Sequence, residues 1–125
     1  GLGFVHAISH MVGAEYDTQH GLTNAIVLPV ILRFNLQDLD EKTQRIAEAM
    51  KLTEKSNDAV CVAVEGLLDE IDIPKSLSEI GIPLDCAERI SHKSLKDSAY
   101  ATNPRAATAK EMQSLIEEAI VKARQ

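Results

Sequence analysis

The sequence has no tryptophan and only two phenylalanines and two tyrosines, so its core must be built almost entirely from aliphatic side chains. Only two cysteines and four prolines are available to constrain the backbone. Apolar residues nevertheless make up 45% of the 125 positions. An aliphatic core with few aromatic residues favours helices over sheets. The composition therefore predicts one compact, mainly helical domain.

Two further absences limit the partners of the chain. No apolar run approaches the roughly 18 residues that a membrane helix needs, and no secretory signal pattern is present. The formal net charge is -6 and the basic residues do not cluster. Nucleic-acid binding without sequence preference needs Lys and Arg to neutralise phosphates. We therefore expect a cytoplasmic protein with no membrane partner and no nucleic-acid partner.

The two cysteines, Cys61 and Cys86, are isolated and lack the CxxC spacing of redox or metal motifs. This pattern is typical of free thiols in a reducing compartment. Cys61 lies in an apolar segment and is expected in the core. Cys86 stands at a predicted helix start, where a lowered thiol pKa is expected.

Apolar residues recur at helical spacing along most of the chain, and no segment shows the alternation of a strand. The pattern predicts an all-α fold, a bundle of about six or seven helices. The predicted helical segments are residues 2–12, 21–35, 38–52, 56–72, 86–97 and 109–124, with a short turn at 77–80. We expect Gly13 to end the first helix and Pro29 to bend or break the second.

Three pairs of residues have the spacing of a capping box, in which a side chain caps a helix start and an acid three positions later caps it in return. The pairs are Ser76 with Glu79, Asp85 with Glu88, and Thr108 with Glu111. Each pair predicts a helix start.

Three of the four histidines, His6, His10 and His20, lie within the first 20 positions, whereas His92 stands alone on a polar segment and is expected in solvent. Imidazole is a common transition-metal ligand and titrates near neutral pH. His6 and His10 are four residues apart, so both lie on one helix face and can point at one ion or one substrate. That spacing alone is weakly specific, and an incidental grouping of histidines remains the alternative.

The order of residues around these histidines resembles the group III, iron-containing alcohol dehydrogenases. The matching text is GLGFVHAISHMVGAEYDTQHGLTNAIVLPVILRFN, then IPKSLSEIGIP, then DSAYATNPR, and it spans essentially the whole chain. The resemblance implies the helical C-terminal domain of the dehydroquinate synthase-like, iron-containing alcohol dehydrogenase fold. It implies an enzyme that passes hydride between an alcohol or carbonyl substrate and NAD(P).

By this resemblance, one divalent iron ion, or zinc in some members, is held by an aspartate and three histidines. His6 and His20 match two of these metal ligands. His10 matches a histidine beside the metal, close to substrate and nicotinamide, which implies a catalytic and cofactor-binding role in proton relay or orientation. An NPR sequence recurs near the end of family members and is matched by Asn103, Pro104 and Arg105. A structural turn explains it better than a catalytic role, because proline fixes φ and asparagine favours turns.

The family's other two metal ligands and its nucleotide-binding domain precede the matching region, and the chain contains no GxGxxG element. We therefore expect residues 1–125 to form a single domain, the C-terminal part of a longer enzyme whose N-terminal domain would be its partner. A relative with another substrate, such as maleylacetate reductase, glycerol dehydrogenase or a hydroxyacid-oxoacid transhydrogenase, is the first alternative. A catalytically inert helical module is the second, and homodimer formation is plausible for either.

Overall fold

The computed structural model describes residues 3–37, 39–103 and 105–124, and within these ranges every regular element is helical. The six α-helices are α1 (Gly3–Tyr16), α2 (His20–Leu36), α3 (Asp40–Ala49), α4 (Asn57–Glu70), α5 (Ala87–Leu95) and α6 (Ala109–Lys122). Three short 3₁₀ turns cover Leu77–Ile80, Leu84–Cys86 and Ser98–Thr102. The predicted all-α fold is confirmed.

The long helix α2 joins the two parts of the hydrophobic core. Val27 and Ile31 belong to the larger cluster, which includes side chains from α1, α5 and α6. Leu32 and Leu36 belong to a smaller cluster with side chains from α3 and α4. Because α2 is apolar nearly all round, it is buried on several sides.

The first helix continues past Gly13, so the predicted stop at that residue is wrong. The helix ends at Tyr16, and the next residue, Asp17, has a left-handed φ of 55°. Its N–H donates to the carbonyl of Gly13 at 2.9 Å and closes the last turn. Aspartate tolerates this conformation better than most residues, so no glycine is required there. Leu2, predicted as the first helical residue, lies outside the described residues.

The second helix runs without interruption through Pro29, so the predicted break does not occur. It also begins at His20, one position earlier than expected, with Gln19 in extended conformation before it. Proline removes one backbone donor, but Pro29 is buried and the surrounding packing outweighs that loss.

None of the helices in the described ranges combines the length and apolar character needed to cross a membrane.

Two of the three predicted capping boxes are confirmed. At the start of α6, Glu111 N–H donates to Thr108 Oγ1 at 3.1 Å and Thr108 N–H donates to Glu111 Oε1 at 3.0 Å. Ser76 and Glu79 form the box before the first 3₁₀ turn. Asp85 does not cap α5, because it already lies inside the 3₁₀ turn that leads directly into that helix. A capping residue needs an extended backbone, which this position lacks.

The remaining helices begin at or shortly after their predicted positions and end slightly earlier. Asp38, the predicted start of the third helix, lies outside the described residues. Ser56 caps α4 by accepting a hydrogen bond from Ala59 N–H at 3.1 Å.

Candidate functional site

The structure brings together the three histidines that the sequence singled out. His6 and His10 lie on one face of α1, and His20 is the first residue of α2. The ring centroids are 5.9 Å apart for His6 and His20, 5.3 Å for His10 and His20, and 6.3 Å for His6 and His10. The short connection at residues 17–19 turns the chain back so that the start of α2 meets the middle of α1. All three side chains are exposed, and so is His92 on α5.

His10 has a further partner that sequence reasoning missed. Its Nδ1 lies 3.0 Å from Oδ2 of Asp97, whose side chain is only 12% exposed. The other carboxylate oxygen, Oδ1, accepts the N–H of Ala99 at 2.8 Å and thereby caps the 3₁₀ turn Ser98–Thr102. Burial acts to raise the pKa of Asp97, but the hydrogen bonds from Ala99 and His10 outweigh it and the pKa is lowered. The only sequence signal for Asp97 is that it opens the segment DSAYATNPR.

The spacing of the rings is compatible with shared coordination of one ion. With metal–nitrogen bonds of about 2.1 Å, two imidazoles on one ion have centroids no more than roughly 6.5 Å apart. The His6 and His20 rings, at 5.9 Å, satisfy this limit. Across the described ranges, however, no group of three or more His, Cys, Asp or Glu side chains is arranged to hold a metal ion. Ring spacing alone does not select the ligands, because the other two pairs, at 5.3 and 6.3 Å, satisfy the limit as well.

A partly buried amide pair fixes the position of α1 beside the histidines. Asn103 Nδ2 donates to Asn35 Oδ1 at 2.8 Å, and Asn35 Nδ2 donates to Asn103 Oδ1 at 3.1 Å. The same Asn103 oxygen accepts the N–H of Phe4 at 3.2 Å. The pair thus connects Phe4, which lies two residues before His6 in the first turn of α1, to Asn35 near the end of α2.

The NPR segment has a structural role at its two described residues. Arg105 donates from Nη1 to the carbonyl of Phe34 at 2.7 Å, and its guanidinium lies 4.0 Å from the centroid of the Phe34 ring. Asn103 donates to the carbonyl of Arg105 at 2.6 Å, which closes the turn. Pro104 lies outside the described residues.

The far end of α1 contacts α5 through an ion pair. Arg89 Nε donates to Glu15 Oε1 at 2.6 Å, and this hydrogen bond is the main reason that the pKa of Glu15 is lowered. Cys86 lies nearby and is fully buried. Burial raises the pKa of its thiol, so the expectation of a lowered pKa is wrong: removal from water outweighs proximity to the helix start. Cys61 is 2% exposed and lies in the core, as predicted.

Comparison with known proteins gives a consistent result. Residues 1–120 match the family described as Fe-containing alcohol dehydrogenase, C-terminal. Lactaldehyde reductase of Escherichia coli K12 is 38% identical over 115 residues, covering 86% of this chain and 30% of the relative. NAD-dependent methanol dehydrogenase of Bacillus methanolicus is 32% identical over 126 residues, covering 96% of this chain and 33% of the relative.

A solved structure agrees with these relatives. The crystal structure of a 1,3-propanediol oxidoreductase superposes with a TM-score of 0.88 at 32% identity, covering 94% of this chain and 32% of that one. The chain spans about a third of the length of the relatives it matches. Its helical architecture is that of the matching part of the solved structure, and the chain belongs to the Fe-containing alcohol dehydrogenase family, to whose C-terminal part it corresponds.

Proposed function

We propose that this chain is the metal-binding, C-terminal part of a longer NAD(P)-linked alcohol dehydrogenase. The whole enzyme would pass hydride between an alcohol or carbonyl substrate and a nicotinamide. The observation that carries the proposal is the convergence of His6, His10 and His20 from two helices, inside the region that matches the family. The names of the relatives make short-chain alcohols and aldehydes, such as 1,3-propanediol and lactaldehyde, the first substrates to assay.

His6 and His20 are the proposed ligands of a divalent iron or zinc ion. Their rings are exposed, are separated by a distance that one ion can bridge, and belong to the residue type that such metals prefer. When bound, such an ion acts as a Lewis acid on the oxygen of the alcohol or carbonyl group. Further ligands would come from residues outside this chain.

His10 is proposed as the residue that handles the proton and contacts the nicotinamide or substrate, rather than as a third ligand. Its Nδ1 is already bound to Asp97, and its ring stacks on His20 at an interplanar angle of 13°. This arrangement restrains the ring next to the proposed ligand. A restrained imidazole is well suited to general acid–base catalysis.

Alanine substitutions in the full-length enzyme test these roles. H6A and H20A are expected to lose bound metal, because each removes one ligand. H10A is expected to keep the metal and to lower kcat by roughly 10²- to 10⁴-fold, the usual contribution of a general acid or base. H92A is the matched control, since His92 is exposed on α5. Full metal retention in both H6A and H20A would refute the proposed ligands.

The second candidate is that the chain by itself is a folded but catalytically inert module. It is favoured by the absence of a three-ligand group in the described residues. Two neutral imidazoles without other ligands should bind Fe(II) or Zn(II) weakly. Calorimetric titration of the 125-residue chain distinguishes the two: weak binding supports the inert module, and 1:1 binding at micromolar affinity or tighter rules it out.

A further inference from the structure

The two carboxylate oxygens of Asp97 serve different partners. Oδ1 accepts the backbone N–H of Ala99, and Oδ2 lies 3.0 Å from Nδ1 of His10. The Asp97 side chain is 12% exposed, whereas that of His10 is 45% exposed. The aspartate is therefore the fixed member of the pair, and the imidazole is the member whose orientation depends on the contact.

An ionised carboxylate can only accept hydrogen bonds. At 3.0 Å from Oδ2, Nδ1 of His10 must therefore carry the hydrogen. In a neutral imidazole, the other nitrogen, Nε2, is then unprotonated and keeps its lone pair. The partner of one ring nitrogen thus determines the chemistry of the other.

We propose that Asp97 is the positioning residue of the histidine group: it holds His10 as the Nδ1–H tautomer and leaves Nε2 as the acceptor of the ring. Asp97 is hydrogen-bonded to neither His6 nor His20, the proposed metal ligands. It acts through its contact with His10. The inference rests on the proposed function, in which His10 handles a proton. A ring in the opposite tautomer would present a hydrogen where a lone pair is needed.

The surroundings of Asp97 explain why it holds its position. The 3₁₀ turn that it caps lies against the first turn of α1, where a Cβ atom on Gly3 would lie 2.6 Å from the backbone nitrogen of Asn103. Tyr100, in the same turn, stacks on Phe4 of α1 with ring centroids 5.0 Å apart. The hydroxyl of Tyr100 donates to the carbonyl of Ala107 at 2.9 Å. The carboxylate is therefore attached to a packed turn rather than to a free loop.

Two substitutions separate positioning from simple capping. Asn and Ser are both good capping residues, so D97N and D97S retain an acceptor for Ala99 N–H. D97N also presents an amide N–H₂ to His10, which reverses the direction of the hydrogen bond and should move the proton to Nε2. D97S is too short to reach His10 and removes the contact.

The readout is the tautomer of His10 in the 125-residue chain labelled with ¹⁵N-histidine. Spectra are recorded near pH 8.5, where an ordinary imidazole is neutral, and the His10 signals are assigned with H10Q. The expected result is the Nδ1–H form in the wild type, the Nε2–H form in D97N, and loss of the Nδ1–H preference in D97S. The His92 signals should not change and serve as the internal control.

Unchanged His10 signals in both D97N and D97S would overturn the proposal, because a residue that only caps the turn would give that result. An Nε2–H tautomer in the wild type would overturn it as well. In the full-length enzyme, D97N should retain metal and lower kcat by about 10²-fold or more with a smaller change in KM. The tautomer measurement needs neither metal nor nicotinamide, so it stands even if H6A and H20A refute the proposed function.

Discussion

Gly3 packs so closely against Ala99 that a Cβ atom at position 3 would overlap the Ala99 carbonyl oxygen. The same atom would lie 2.6 Å from the backbone nitrogen of Asn103. Both obstacles are backbone atoms, which cannot rotate away as the end of a side chain can. The absence of a side chain at Gly3 therefore sets how near the helix carrying His6 and His10 approaches the turn carrying Asp97.

Replacing Gly3 with alanine should destabilise the fold by about 3 kcal/mol or more, because the helix and the turn must separate. The contact between His10 and Asp97 should weaken at the same time. Urea denaturation measures the first effect, and the His10 tautomer spectrum reports the second.

The matched control for that change is Gly66→Ala. Gly66 lies inside α4, and a Cβ atom there meets nothing within 4 Å. The substitution should stabilise the chain by about 0.5–1 kcal/mol, since alanine is the better helix former. Equal destabilisation by both substitutions would show that close packing at Gly3 is not the cause.

Asn103→Ala should cost about 3 kcal/mol of unfolding free energy. It removes the partner of the Phe4 N–H and of the Asn35 amide, and Asn35 is 1% exposed. Buried polar groups without partners cost about 1–3 kcal/mol each. Thr102→Ala, at an exposed position of the neighbouring turn, removes one hydrogen bond to the Ala99 carbonyl and should cost no more than about 1 kcal/mol. If Asn103→Ala lost no more unfolding free energy than Thr102→Ala, the stabilising role of the hydrogen bonds between Asn103, Phe4 and Asn35 would be contradicted.

Two substitutions at predicted helix starts should differ clearly in their effect on the stability of the chain. Thr108→Ala removes a side-chain cap from α6 and should cost about 1 kcal/mol. Asp85→Ala removes a residue of the same sequence pattern that caps no helix, so it should be close to neutral. Thermal unfolding of the two variants measures the difference, and equal losses would show that Asp85 acts as a cap in solution.

The stability of the chain should fall in alkaline solution because of its cysteines. Burial raises the pKa of both Cys61 and Cys86. Between the unfolded pKa of about 8.5 and the higher folded pKa, the unfolded chain has lost protons that the folded chain retains. The free energy of unfolding therefore declines as pH rises above about 8.5 and is unaffected by these thiols below it.

Denaturation curves at pH 7 and pH 9.5 test this dependence. Cys86→Ala should reduce the difference between the free energies of unfolding at these two pH values, whatever its effect on stability at pH 7. An undiminished difference would mean that the Cys86 thiol does not contribute.

The positions of most helices and the shared face of His6 and His10 were predictable because both depend on local spacing. That His20 lies beside them was implied only by the resemblance to the family, since nothing in its own spacing indicates it. The predictions that failed concerned where the first helix ends and which residue caps α5, and both depend on the backbone conformation of single residues. Asp17 rather than Gly13 takes the left-handed conformation, and Asp85 lies within a turn instead of before a helix.

The partners of the site were not predictable from spacing, because they are distant in sequence. Asp97 lies 87 positions from His10, and no periodicity connects them. The same holds for Asn103 and Phe4, which are 99 positions apart. Such contacts depend on how the helices pack, and that is decided by the whole core.

This separation in sequence has a consequence for the order of folding. The helices α1 and α2 are adjacent in the chain, so the three imidazoles can meet through a short loop at low entropic cost. The contact between His10 and Asp97 requires closure of a loop of 87 positions, more than two thirds of the chain. We expect the histidine cluster to form early during folding and to remain unrestrained until the last third of the chain has docked on the first helix.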